Sequence, residues 1–146
     1  MSIFFNNKPK KIVQKKPKKT VKLEWHKDAT IQQEMGKIVA SLEMSHVIPE
    51  RVYCYRTIGS KARAYARIWS FPKIFQEALS IESAYVMEII SERYGRLNHE
   101  EKTKVIIHEL LHIPKNFSGS LLPHKYGHTQ IDKEVETLYK RFLESK

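Results

Sequence analysis

The chain contains a single cysteine, Cys54, so it can build neither an intrachain disulfide nor a thiolate zinc cluster. Long hydrophobic runs are missing as well. The one apolar start, Ile3-Phe4-Phe5, is far shorter than a signal-peptide core, and nothing approaches the ~20 apolar residues of a membrane span. These absences lead us to expect an intracellular, cytoplasmic protein with no membrane partner. Internal repeats are absent too. Acidic residues are absent from residues 1–20, which hold seven lysines: Lys8, Lys10, Lys11, Lys15, Lys16, Lys18 and Lys19. The 146 residues carry 26 basic and 16 acidic side chains, a net charge of +10, so the basic excess is concentrated at this end. Residues 1–19 read as a flexible basic arm and residues 20–146 as one domain, because a lysine-rich stretch with Pro9 and Pro17 cannot bury enough to offset its ordering entropy. The arm from Lys8 to Lys19 is either a non-specific tether to nucleic acid through phosphate contacts or a solubilising tail.

The remaining sequence alternates between helical and strand periods. A short strand is expected at 20–25. A helix follows from Asp28, a candidate N-cap, with Ile31, Met35, Ile38, Val39 and Leu42 on one face. Residues 51–58 are rich in strand formers and run into a Gly59-Ser60 turn. Residues 62–69 alternate strictly, which predicts a strand with Arg63, Tyr65, Arg67 and Trp69 on one face and Ala62, Ala64, Ala66 and Ile68 on the other. A short helix from Pro72 to 79, a buried strand at 84–90, a helix at 98–113 and a last amphipathic helix at 129–143 complete the reading. Asn98 with Glu101 forms a capping-box pattern, and Pro114 stops the helix that it starts.

The chemistry concentrates in that helix. His108 and His112 lie four residues apart, which puts both imidazoles on one face within reach of one zinc ion. Glu109 sits about 100° round the helix and can address a water on that metal. The pattern arises by chance in roughly three of every hundred shuffled sequences of this composition, so the motif alone is only suggestive. Its setting strengthens it: Val105, Ile106, Ile107, Leu110, Leu111 and Ile113 make the helix apolar on most sides. Charged groups in such a helix are costly without a metal or a polar network. A catalytic zinc needs a third protein ligand, and Pro114 requires it to come from later chain. His124, returned by Ser118-Gly119 and Pro123, is the first candidate and His128 the second. Asp132, Glu134 and Glu136 follow.

The segment 108–124, His-Glu-Leu-Leu-His-Ile-Pro-Lys-Asn-Phe-Ser-Gly-Ser-Leu-Leu-Pro-His, resembles a metallopeptidase family of archaea, phages and archaeal viruses. The stretch 60–68 followed by Pro72 resembles it too, so the similarity spans roughly residues 50–145. More distantly the chain is similar to SprT-like proteases, some of which act on proteins crosslinked to DNA; there His124 matches the third ligand. The metzincin pattern is absent, since Lys115 and Ser118 stand where it needs Gly and His. The resemblance implies an α+β, minimal zincin-like domain. In it a small mixed or antiparallel sheet packs on the central metal-binding helix, with further helices flanking it. It implies zinc-dependent hydrolysis of a protein or peptide substrate, with Glu109 catalytic and His108, His112 and His124 (or His128) on the metal. It also implies that the strand 62–69 pairs with substrate, so that Arg63, Tyr65, Arg67 and Trp69 line the cleft. Tyr126 becomes a candidate oxyanion donor. The competing expectation is a nucleic-acid-associated protein whose zinc site is structural or vestigial.

Overall fold

The computed structural model describes residues 16–124 and 128–146, with the side chains of residues 128 and 129 outside that description. The basic arm therefore lies mostly outside the described residues; its last residues, 16–19, are exposed and form no regular element.

Strand β1 (Glu24–Lys27) leads into helix α1 (Ala29–Ser41). Asp28 caps α1 as its sequence position predicts: its Oδ1 accepts the Ile31 N–H at 3.1 Å. Its other oxygen accepts two bonds from the Arg56 guanidinium, at 2.8 and 3.0 Å, which satisfies a carboxylate only 5% exposed. Ile31, Met35, Ile38, Val39 and Leu42 are all buried, so the helical period was read on the correct face. A 3-10 turn at Pro49–Arg51 then feeds β2 (Val52–Ile58).

Three elements come next: β3 (Ala66–Trp69), helix α2 (Lys73–Leu79) and β4 (Tyr85–Ile90). The strands form one mixed sheet in the order β1-β2-β4-β3, with β2 and β4 parallel and both outer pairs antiparallel. Helix α3 (Ser91–Tyr94) turns the chain into α4 (His99–Leu110), and α5 (His128–Glu144) closes the fold. The fold is thus α+β with a small mixed sheet. Val52, Cys54, Ala66, Ile68, Met87 and Ile89 point from the sheet into a core shared with α1, α4 and α5, where Met35, Ile106, Ile107 and Leu110 are fully buried. Each such side chain contributes about 1.5–3 kcal/mol by leaving water. Helix α4 lies between β3 and α5, which makes it the central element.

Three expected elements are shorter or shifted. The strand expected at 20–25 forms at Glu24–Lys27, because its ladder with β2 runs only from Glu24 opposite Ile58 to Lys27 opposite Tyr55. The strand expected over 62–69 forms only at Ala66–Trp69. Its partner β4 ends at Ile90 and bends into α3, so after the Ile90 N–H bonds the Tyr65 carbonyl (3.0 Å) nothing is left for residues 62–64 to pair with. The alternation there was real, but a strand needs a neighbour as well as a period. The helix expected to reach 113 ends at Leu110, for a reason that matters to the site.

Candidate metal centre

Asn98 opens α4 with a complete capping box: Oδ1 accepts the Glu101 N–H at 2.9 Å, and the Glu101 carboxylate accepts the Asn98 N–H at 2.9 Å. The burial of Ile106, Ile107 and Leu110 fixes the rotation of the helix and presents His108 and Glu109 to a cleft beneath β3. Past Leu110 the bonding tightens. The His112 N–H reaches the Glu109 carbonyl at 3.2 Å and the Ile113 N–H the Leu110 carbonyl at 3.1 Å, a three-residue spacing in place of four. Pro114 explains this, because its ring disfavours helical backbone at Ile113. His112 therefore sits in a tightened last turn, not in the regular helix that its spacing suggested.

The chain is then folded back by a set of specific contacts. Ile113 and Phe117 are buried, and the Phe117 ring packs edge-on against Tyr85, with centroids 4.9 Å apart. The Tyr85 hydroxyl donates to the Ser120 carbonyl at 2.8 Å and accepts the Gly119 N–H at 2.9 Å. Gly119 has φ +92°, and a Cβ there would stand 2.2 Å from the Phe71 carbonyl oxygen, so only glycine fits. The Gly119 carbonyl in turn accepts the Phe71 N–H at 2.7 Å. The returning segment locks onto the helix end, where the Leu122 N–H bonds the His112 carbonyl at 2.8 Å and the His112 Nδ1 lies 2.7 Å from the Leu122 carbonyl. A carbonyl can only accept, so Nδ1 carries a proton and Nε2 is the nitrogen left to face a metal.

This return brings His124 to the two helix histidines. Ring centroids are 5.2 Å apart for His108 and His112, 5.3 Å for His108 and His124, and 4.6 Å for His112 and His124. One nitrogen from each ring lies within 4.8 Å of the others, which is a group able to hold a metal ion. Glu109, 9% exposed, lies at the base of the same cleft of about 530 Å³. Burial pushes its carboxyl up to about 7, and hydrogen bonding to the Ile68 backbone of β3 pulls the other way.

The other expected residues are dispersed. Ala66 and Ile68 face the core, so the alternation of β3 sends the Arg67 and Trp69 side chains to the opposite face of the sheet, although both residues border the cleft. There Arg67 Nε and Trp69 Nε1 donate to one oxygen of Glu88, at 3.2 and 2.7 Å. Arg63 is exposed and does not line the cleft. Tyr65, with Asp132 and Glu136, borders a second depression on the α5 side of His108 and His124. Glu136 is paired with Lys104 at 2.7 Å, and Glu134 is exposed. Tyr126 and the side chain of His128 lie outside the described residues.

Sequence reasoning missed the supports. Tyr85 and Glu88 were read only as part of an apolar strand; a lone glutamate in such a strand was the signal that a partner had to exist. The Leu122 and Ile68 backbone groups carry no signal, since any residue type supplies them.

The model of a family described as "Putative phage metallopeptidase" matches residues 23–142 of the chain, which takes in every strand, α1 to α4 and all three histidines. No curated protein and no solved structure matches it.

Proposed function

The chain belongs to the phage metallopeptidase family, and from that premise we propose that it is a zinc-dependent peptidase of the HExxH type. His108, His112 and His124 are its metal ligands and Glu109 its general acid/base. The observation that supports this reading is the convergence of three imidazoles beside one buried carboxylate. The donor set suits the ion: three imidazole nitrogens match a catalytic zinc site, which keeps its fourth position for water. The bond from His112 Nδ1 to the Leu122 carbonyl leaves Nε2 as the donor and holds its ring in place.

When bound, zinc would polarise a water molecule and the scissile carbonyl. Glu109 takes the proton of the attacking water onto its carboxylate and passes it to the departing amine. Its burial beneath β3 keeps that carboxylate out of bulk solvent and aims it into the cleft. Strand β3 is the last strand of the described sheet, so the backbone groups that its edge gives neither to β4 nor, at Ile68, to Glu109 accept an extended peptide as an added strand. Recognition through main-chain groups is tolerant of substrate sequence.

The test is Glu109→Gln. Proteolysis should disappear while zinc content stays near one ion per chain, because the amide cannot take the proton yet leaves the ligands intact. Wild-type turnover in this variant would refute the mechanism. The third ligand is tested separately: His124→Ala should lose zinc and His128→Ala retain it, and the reverse result would transfer the role to His128.

A further inference from the structure

The sheet has two faces, and the helices α1 and α4 occupy one of them. The other carries large aromatic side chains in the open: Trp25 is 60% exposed, Tyr53 49% and Trp69 49%. The register explains the clustering. Tyr53 stands opposite Val86 and Val86 opposite Trp69, and in the next row Lys27 stands opposite Tyr55, Tyr55 opposite Glu88 and Glu88 opposite Arg67. Residues directly opposite share a face. With Leu23 at its margin, this surface forms a groove of about 680 Å³, on the far side of the sheet from the side chains of the metal centre. Scattered apolar residues are normal on a surface, but four aromatic rings lining one groove are not.

The charge around the groove selects among occupants. Its one lining acid, Glu88, is 4% exposed and fully engaged, with Thr57 at 2.6 Å, Trp69 at 2.7 Å and Arg67 at 3.2 Å. Arg67 also lies over the Trp69 ring, 5.1 Å from its centroid. The segment that enters the sheet at Leu23 carries exposed Lys16, Lys18, Lys19 and Lys22, and Lys27 leaves it. The surface therefore combines flat π-faces with Lys27 in the row of Tyr55 and with exposed lysines on the segment that leads into it at Leu23. An apolar peptide would use the rings and leave the lysines idle; duplex DNA would use the lysines and leave the rings idle. Unpaired nucleotides use both, with bases stacked on the aromatics and phosphates on the lysines.

We infer that the outer face of the sheet is a binding surface for single-stranded nucleic acid, with Trp25, Tyr53, Tyr55 and Trp69 as the stacking platform. It stands independently of the peptidase reading, since it uses neither Glu109 nor any of the three histidines. The chain has two tryptophans and both line this groove, Trp25 away from the metal cleft and Trp69 bordering it as well, so their emission reports on the groove when read against substitutions at Tyr53 and Tyr55.

The experiment titrates the full-length chain with oligothymidine and follows tryptophan emission. The expected result is saturable quenching that weakens with added salt, with a blunt-ended duplex of equal length binding less tightly. Tyr53→Ala and Tyr55→Ala keep both reporters and should each weaken binding about tenfold, the effect of removing one stacked base. Both retain the fold, as checked by circular dichroism and by zinc content. Quenching that is absent, or unaltered by both substitutions, would overturn the proposal. So would tryptophans that resist acrylamide in the free chain, because the face would then be covered by residues 1–15 or by a second copy, which sedimentation would reveal. Tighter binding of an apolar peptide than of oligothymidine would overturn it as well.

Discussion

Removing one oxygen from Tyr85 should damage a metal centre to which that residue contributes no ligand. Tyr85 is 1% exposed, and its hydroxyl holds both the Gly119 N–H and the Ser120 carbonyl. Tyr85→Phe keeps the ring and its edge-on packing against Phe117, so no large cavity opens. The two released groups fare differently. Ser120 is exposed and its carbonyl can take a water, whereas Gly119 is buried and its N–H is left without its acceptor. An orphaned buried donor costs about 1–3 kcal/mol, so we expect a loss of about 2 kcal/mol. For a domain of this size that lowers Tm by roughly 6 °C. The turn at Gly119 then holds the segment before His124 less firmly, and on the proposed reading zinc binding must supply the ordering that the hydroxyl supplied before. Each 1.4 kcal/mol shifted in this way weakens zinc about tenfold. The measurements are a thermal melt of the metal-free protein and a competition titration against a chromogenic chelator. A lower Tm with unchanged zinc affinity would refute the claim that this hydroxyl positions the third histidine, and an unchanged Tm would refute the hydrogen-bond argument itself.

Other expectations follow from single groups. Asn98→Ala removes half of the capping box on α4 and should cost about 1 kcal/mol in denaturant titration, with Asn98→Asp close to wild type. Cys54 is 3% exposed and burial, with the Asp28 charge adding to it, pushes its thiol up to about 12; it should react with a chromogenic disulfide only after unfolding, and rapid labelling of the native protein would contradict the packing. Burial alone would raise the Glu88 carboxyl, but hydrogen bonds from Thr57, Trp69 and Arg67 outweigh it and hold it below the usual carboxylate range. A depressed folded pKa means that this contribution is present above the unfolded value and is lost as pH falls through the folded one. The midpoint of urea unfolding should therefore drop on acidification, and Glu88→Gln should reduce that dependence.

What was readable in the sequence divides along a physical line. The caps, the periods and the stop at Pro114 are local: Asp28 with Ile31, and Asn98 with Glu101, each act within one turn, so they could be found without a fold. The burial of α4 was legible for the same reason, from its unbroken apolar surround. The strand at residues 62–65 failed because pairing depends on where β4 ends, a fact stored more than twenty residues away. The alternation of Arg67 and Trp69 with Ala66 and Ile68 was local as well. Their shared face was correctly inferred from the alternation, but which face met the metal helix depended on Ala66 and Ile68 packing into the core. Arg67 and Trp69 border the metal cleft while their side chains lie on the outer face of the sheet. On the two proposals made above, β3 turns small, buried side chains toward α4, offers its backbone edge to an extended substrate, and gives its large side chains to the outer surface as well as to the border of the cleft. Arg67 and Trp69 border both surfaces, so on these proposals their substitution should affect peptide cleavage and outer-face binding together, whereas substitution of Tyr53, which lines only the groove of the two, should affect outer-face binding alone.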